Sequence, residues 1–337
     1  MSYTENRWQG NEYRQEYLNG INNIVNVLRK NADETRINRR SDILNNVDFY
    51  RKKLGEMLGY PLNKSFDTDD IPNIKKTFVA KDGMISIYRV QIEVLKDLWF
   101  YGLYFEHDDN NKHPLVICQH GGMGTPEICS SLFDSSNYNN MTKRVLSYGV
   151  NAFAPQLLLW HSNTYGIDYD RREIDQSLKQ VGSSITAIEV YAIMKSINYF
   201  CSLHQIDTSK IGMVGLSYGG FYTLFTTACD TRIKAALSSS FYNNRYEHNW
   251  SDWVWQNSAG EFLDSEVALL VYPRYLSIVV GNDDPLFKAE SAKKEFDSMM
   301  ELCNKNHEWI KFDIFEGVHE FPTQEDYLKN WMEKFMK

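Results

Sequence analysis

The sequence predicts an α/β fold: a mostly parallel central sheet with helices on both faces, antiparallel strands at its start and an N-terminal helical extension. Three observations carry this. From Pro114 onward, short continuous apolar runs alternate with amphipathic stretches, as expected of parallel strands buried on both faces and joined by covering helices. From Lys75 to His107 the residues are β-branched and aromatic, broken by Lys81-Asp82-Gly83, a hairpin signal. Finally, Lys210 to Gly220, K-I-G-M-V-G-L-S-Y-G-G, passes from an apolar run through a glycine-flanked serine directly into a helical segment.

Taken in order, residues from about Asn11 to Tyr60 carry helical spacing. Tyr17, Ile21, Ile24, Val27 and Leu28 mark one helix; Ile43, Val47, Tyr50, Leu54 and Leu58 mark a second, opened by Ser41-Asp42 as N-cap. Their apolar faces need cover, from the body of the protein or from another subunit. A polar stretch from Pro61 to Asn73 follows, so the chain divides into an extension over residues 1–74 and a main domain over 75–337. In the latter the pattern predicts strands at Pro114 to Cys118, Val150 to Trp160, Ile233 to Phe241, Tyr275 to Gly281 and Trp309 to Phe315. Between them it predicts helices near Tyr138 to Tyr148, Asp175 to Leu203, Phe221 to Cys229, Glu261 to Leu270, Lys288 to Asn304 and Tyr327 to Met336.

Composition bounds the function. A net charge of −8 and a pI near 5.6 argue against a phosphate-binding nucleic-acid surface. No run approaches the 18 apolar residues of a membrane span, and the first residues lack the apolar centre of a signal peptide, so a cytoplasmic protein is expected. Five cysteines without C-x-x-C spacing read as reduced thiols.

The chemistry centres on Ser217. In G-L-S-Y-G the serine sits at the apex of a strand-turn-helix, where only small residues two before and two after leave room for the two elements to approach; this is a nucleophile elbow. A serine hydroxyl is a poor nucleophile unless a base takes its proton. Two later strands end in suitable groups, in the order acid then base: Gly281-Asn282-Asp283-Asp284-Pro285 and Glu316-Gly317-Val318-His319-Glu320. His319 is the base. Asp283 and Asp284 compete for the orienting role, and the spacing from Gly281 with Pro285 following favours Asp284. His319-Glu320 is no zinc helix, because Thr323 stands where a second histidine is needed.

A tetrahedral intermediate also needs donors for its oxyanion, each worth about 3 kcal/mol of barrier. The backbone N–H of Tyr218 is one. The other lies in His120-Gly121-Gly122-Met123-Gly124, with Gly122 favoured over Met123. The alternative, a phosphate cradle, is disfavoured there, since G-x-x-x-x-G-K-[ST] is absent and no lysine follows the glycines. No metal or other cofactor is required.

These four motifs, H-G-G-M-G, G-L-S-Y-G-G, G-N-D-D-P-L-F and G-V-H-E-F, resemble the α/β-hydrolase superfamily. Within it, the chain is similar to the branch of dienelactone hydrolases, acetyl xylan esterases and prolyl-oligopeptidase-like peptidases. The resemblance covers about Lys75 to Lys337. It implies acyl-enzyme chemistry at Ser217, with His319 as base and then acid, oriented by Asp284. Dienelactone hydrolases proper carry cysteine as nucleophile; serine here points to the esterase side. Large oligopeptidases place a β-propeller before this domain, and residues 1–74 are too few to form one.

The expected activity is hydrolysis of a small carboxylic ester with a short acyl group. The alternatives are a peptidase or amidase using the same triad, and a binding protein without turnover. For specificity, Trp160, His161 and Tyr165 leave one strand and Trp250, Trp253 and Trp255 follow another, forming either an aromatic wall or a cap on the core. Arg171, Arg172 and Arg245 are candidates to meet a substrate carboxylate. The expected partner is the ester substrate, not nucleic acid or membrane, and the N-terminal helices offer a surface for homo-oligomerisation.

Overall fold

The computed structural model describes residues 1–64, 70–133, 136–159, 166–301, 303 and 306–337. Nine strands form one sheet: β1 (Ile74–Asp82), β2 (Ile85–Leu95), β3 (Leu98–His107), β4 (His113–Gln119), β5 (Asn151–Pro155), β6 (Ile206–Leu216), β7 (Ile233–Ser239), β8 (Tyr275–Gly281) and β9 (Ile310–Phe315). Their order is β1-β2-β3-β5-β4-β6-β7-β8-β9. The first three strands and the β3–β5 pair are antiparallel; the pairs from β5 to β9 are parallel. The Asp82-Gly83 signal makes the β1–β2 hairpin, with Asp82 opposite Ile85 and Gly83 at φ 59°. β1 is a sheet edge, almost wholly exposed, and carries Lys75, Lys76 and Lys81, charges that discourage pairing with a stray strand.

Strands β4, β5, β7 and β8, and β6 from Ile211 onward, are almost entirely buried because helices cover both faces. On one face Ile193, Ile197, Phe221, Phe225, Trp253 and Leu269 join Met213 and Ile278 in the main core. On the other, Trp331 and Phe335 of the last helix, Glu325–Met336, pack on Val214 and Leu237. Among the described residues no helix is long and apolar enough to cross a membrane.

Several elements differ from the sequence expectation. The strand read from Val150 to Trp160 is Asn151–Pro155, and the helix read near Glu261 to Leu270 is two short ones, Ser258–Glu261 and Asp264–Leu269, separated by the extended Phe262 and Leu263. The segment read as one helix from Asp175 to Leu203 is two, Arg171–Gln180 and Ile185–Cys201. Gly182 lies at φ 82°, and Ser184 caps the second helix by accepting from the N–H of Ala187 at 3.1 Å. The extension likewise holds three helices, Asn11–Asn38, Arg40–Asn45 and Val47–Leu58. Asp42 is not an N-cap; its carboxylate accepts from Tyr50 Oη at 2.6 Å.

The extension does not stand apart. Ile43, Leu44, Tyr50, Leu54 and Leu58 belong to the main core. Arg36 Nε and Arg40 Nε reach the fully buried Glu266 at 2.8 and 2.7 Å, one on each carboxylate oxygen. Removing one side of a buried ion pair leaves an uncompensated charge and costs about 3 kcal/mol or more. Arg40→Ala is therefore expected to lower unfolding free energy by about 3 kcal/mol in urea titration, whereas removing the exposed ion pair Lys293–Asp297 is expected to leave it nearly unchanged.

Candidate active site

The site begins with backbone crowding. β6 ends at Leu216, the helix Tyr218–Cys229 starts at once, and Ser217 between them adopts φ 60°, ψ −121°, a conformation that costs a non-glycine residue about 1–3 kcal/mol. Its N–H is held by the carbonyl of Ser239 at 2.9 Å. A Cβ on Gly215 would lie 2.3 Å from the carbonyl oxygen of Gly219, and one on Gly219 would lie 2.1 Å from that of Gln119. The glycines two before and two after the serine are thus required by the approach of helix to strand, as the spacing predicts.

Two neighbouring loops, after β8 and β9, meet beside the serine's support. A Cβ on Gly281 would lie 2.4 Å from the carbonyl oxygen of Val318, so the loops are in contact. Asn282 Oδ1 accepts from Gly317 N–H at 2.9 Å and Gly317 O accepts from Asp283 N–H at 3.0 Å. Asp284 is buried. Its Oδ1 accepts from the N–H groups of Leu286 and Phe287 at 2.8 and 3.0 Å, and Oδ2 accepts from His319 Nδ1 at 2.8 Å. A carboxylate only accepts, so Nδ1 carries a proton and donates this bond. Asp283 is exposed, and among the hydrogen bonds of the described residues none joins its side chain to His319. The imidazole stacks on Phe287 with centroids 5.6 Å apart. The carbonyl of Glu320 accepts from Ser239 Oγ and Ser240 Oγ at 3.4 and 3.2 Å, which links the histidine loop to the strand that holds Ser217. Among the hydrogen bonds of the described residues none joins Ser217 Oγ to His319 Nε2; such contacts commonly tighten only around bound substrate.

The glycine-rich turn after β4 lies against the elbow. A Cβ on Gly121 would come within 2.9 Å of Ser217 Cβ. Gly121 N–H is already given to Tyr138 Oη at 2.8 Å, and Gly124 N–H closes the turn onto Gly121 O at 3.1 Å. That leaves the amides of Gly122 and Met123, which have no acceptor among the described residues; Met123 sits at φ 58°. Tyr218 N–H stands at the positive end of the helix behind the serine. His120, which opens the motif, is fully buried: Nδ1 donates to Gly121 O at 2.9 Å and Nε2 accepts from Leu157 N–H at 2.9 Å. Burial pushes its pKa down to about 4, so it braces the turn as a neutral ring.

Of the residues expected to shape a pocket, Trp160, His161 and Tyr165 lie outside the described residues. Trp250 lines a cavity of about 300 Å³ with Asp170, Arg172, Tyr218 and Ser251, its ring stacked on Tyr218 at 5.6 Å. Trp253 does not line it. It is completely buried between Tyr218, Phe221 and Phe241, and Trp255 is also buried, so these rings belong to the core. Two of the three candidate arginines are also consumed internally: Arg245 pairs with buried Asp264, and Arg171 bridges Glu189 and Asp252 at 3.0 and 2.7 Å. Arg172 remains exposed at the cavity.

That bridge is part of a buried network which sequence reasoning missed. Asp252 accepts from Tyr218 Oη at 3.1 Å, while Tyr222 Oη receives Arg171 Nη2 at 2.8 Å and itself donates to Glu189. The network fixes Tyr218, the residue next to Ser217. Its one sequence signal was Glu189, an acidic residue on the buried face of the apolar helix Ile185–Cys201. Among the described residues no group of three or more His, Cys, Asp or Glu is arranged to hold a metal ion.

A mostly parallel sheet with a strained serine between strand and helix, and a histidine–aspartate pair on the following strand ends, defines the α/β-hydrolase class. The chain belongs to the dienelactone hydrolase family, whose model matches residues 102–330. YtaP of Bacillus subtilis (strain 168) is 27% identical over 131 residues, 36% of this chain and 44% of that protein, so the chain spans less than half of the relative it matches. Two solved structures share the fold. Acetyl xylan esterase 1 from Thermoanaerobacterium sp. JW/SL YS485 aligns with a TM-score of 0.60 at 13% identity, over 86% of this chain and 94% of that one. A glucuronoyl esterase from Solibacter usitatus aligns with a TM-score of 0.60 at 13% identity, over 89% and 92%.

The buried histidine yields a pH prediction. Unfolded, His120 takes a proton near the ordinary 6.5; folded, it refuses one until about 4. The folded state therefore binds fewer protons across this window, and the stabilisation is complete above pH 6.5 and lost as pH falls toward 4. His248 shifts in the same direction, also chiefly through burial. Urea titrations at pH 7 and pH 5 are expected to give a loss of about 2 kcal/mol from His120 alone. In His120→Asn, less stable at pH 7, the loss on acidification is expected to be correspondingly smaller.

Proposed function

We propose that the protein is a serine hydrolase of carboxylic esters, working through Ser217, His319 and Asp284 and preferring short acyl groups. The observation that carries this is the 2.8 Å contact between His319 Nδ1 and the buried, doubly amide-bound Asp284, on the loops adjoining the strained Ser217. Ser217 Oγ attacks the ester carbonyl carbon while its proton passes to His319 Nε2. The negative charge on the carbonyl oxygen is met by the N–H of Tyr218 and that of Gly122, with Met123 as the alternative donor. Collapse breaks the bond to the alcohol, which leaves with the proton from His319. Water then attacks the acyl-serine, gives one proton to His319, and the acid departs as Ser217 recovers its hydrogen. Asp284 holds the imidazole in the tautomer that both steps require.

The short-acyl preference is supported by the name of one structural neighbour, an acetyl xylan esterase; the cavity of about 300 Å³ beside Tyr218 is lined by neither Ser217 nor His319 and sets no acyl length. The names of the structural neighbours, an acetyl xylan esterase and a glucuronoyl esterase, favour an ester carried on a carbohydrate. Trp250, which lines the cavity beside Tyr218, is the aromatic side chain placed to adjoin such a ring.

The test is release of nitrophenol from p-nitrophenyl acetate, butyrate and octanoate, with melting temperature followed in parallel. Ser217→Ala and His319→Ala are each expected to abolish turnover at unchanged stability. Asp284→Asn is expected to lower kcat about 10⁴-fold and Asp283→Asn to stay near wild type. Equal, mild losses at the two aspartates would remove the assignment of the acid. Absence of Ser217-dependent release from any ester would shift the reading to an amidase or a binding protein.

A further inference from the structure

The helix Asn11–Asn38 is 28 residues long, about 42 Å. Among the described residues only its C-terminal part is held to the body: Arg29 lies over the ring of Tyr246, Asp33 accepts from Tyr246 Oη at 2.9 Å, and Arg36 Nη1 donates to Ala259 O at 2.7 Å. Every residue from Asn11 to Asn31 is exposed. An isolated helix is marginal in water, and its stability in proteins comes from burying an apolar face. This one exposes such a face. Tyr13 and Tyr17 are 72% and 74% accessible, and Leu18, Ile24, Val27 and Leu28 are each more than half accessible. The opposite side is polar throughout, with Gln15, Asn19, Asn22 and Asn26. So large a contiguous apolar surface is uncommon on a monomer.

The pattern within the stripe specifies its occupant. Tyr17, Ile21, Ile24 and Leu28 are spaced by four, three and four residues, a heptad seam that reads the same from either end. Two copies of the helix laid antiparallel, with a two-fold axis between Asn22 and Asn23, set Tyr17 against Leu28 and Ile21 against Ile24, each twice. One heptad before Ile21 the seam carries Arg14, which this register brings level with Asn31 of the other copy. A parallel pair would instead set Arg14 beside Arg14, like charges that cost stability. We propose that the protein is a dimer whose isologous interface is this antiparallel helix pair, each copy covering the exposed seam of the other.

The test uses the full chain. Light scattering at micromolar concentration is expected to give twice the chain mass of 39.4 kDa. Ile21→Glu/Ile24→Glu, at two exposed positions, is expected to give a monomer that still unfolds cooperatively, with a melting temperature that no longer rises with protein concentration as that of the wild type does. For the register, a short bismaleimide is expected to join Tyr17→Cys/Leu28→Cys into a covalent dimer. Neither single variant should cross-link, since identical positions then lie about 16 Å apart; the wild type, with no cysteine in this helix, is the blank. A monomeric wild type, or a glutamate variant that remains dimeric, would overturn the interface. Cross-linking by either single variant would overturn the antiparallel register. A monomer that sediments with anionic phospholipid vesicles would assign the face to a membrane surface and also defeat the proposal.

Discussion

The site rests on one constraint: a serine held at φ 60° where strand, helix and neighbouring turn approach more closely than any Cβ would permit. Gly215 faces Gly219, Gly219 faces Gln119, and Gly121 faces Ser217 itself. The approach is possible because β4 and β6 are neighbours in register, with Gln119 opposite Gly215. The same parallel register delivers the other parts. β7 pairs beyond β6 and gives Ser239 to hold the N–H of Ser217; β8 and β9 follow with Gly281 opposite Phe315, and their loops carry Asp284 and His319. Parallel strands point the same way, so every loop after a strand emerges at the same edge.

Behind that edge lies a polar layer that the apolar core does not explain. Glu189, Arg171 and Asp252 are buried together, and Arg171 takes both carboxylates while Tyr218 and Tyr222 complete their hydrogen bonds. Charges taken out of water are costly singly and tolerable when paired and fully bonded. The arrangement thereby fixes the phenol of Tyr218, whose neighbour is Ser217. His120 serves similarly under the glycine turn, kept neutral by burial and bonded at both ring nitrogens. Glu266 does so for the N-terminal extension. Each is a buried ionisable group used for position.

Much of this was legible in the residue order, and the failures have physical causes. The hairpin at Asp82-Gly83 and the buried strands from Pro114 onward were readable because turn chemistry and period-two or continuous apolar runs are local. The break in the long helix was misread, although Gly182-Ser183-Ser184 carried both a left-handed glycine and an N-cap, because the apolar spacing continues across it. Trp250 and Trp253 look alike in sequence; one lines the cavity and the other is core, since their burial depends on Phe221 and Phe241 from distant elements. Arg171 and Arg245 were candidates for substrate contact because a chain written in one dimension does not reveal that Asp252 and Asp264 already hold them.

The sequence by itself determined the α/β class, the strand-turn-helix around Ser217, the glycines it needs and the order serine, aspartate, histidine, because these follow from backbone stereochemistry and from neighbours a few residues apart. The tertiary structure alone decided which of Asp283 and Asp284 meets His319, which amides of the 120–124 turn are already used, and which charged side chains face inward. Those outcomes depend on partners far apart in the chain, 35 residues between Asp284 and His319 and 81 between Arg171 and Asp252. Only the closed sheet and its packed helices bring such groups within hydrogen-bond distance and remove the water that would otherwise satisfy them.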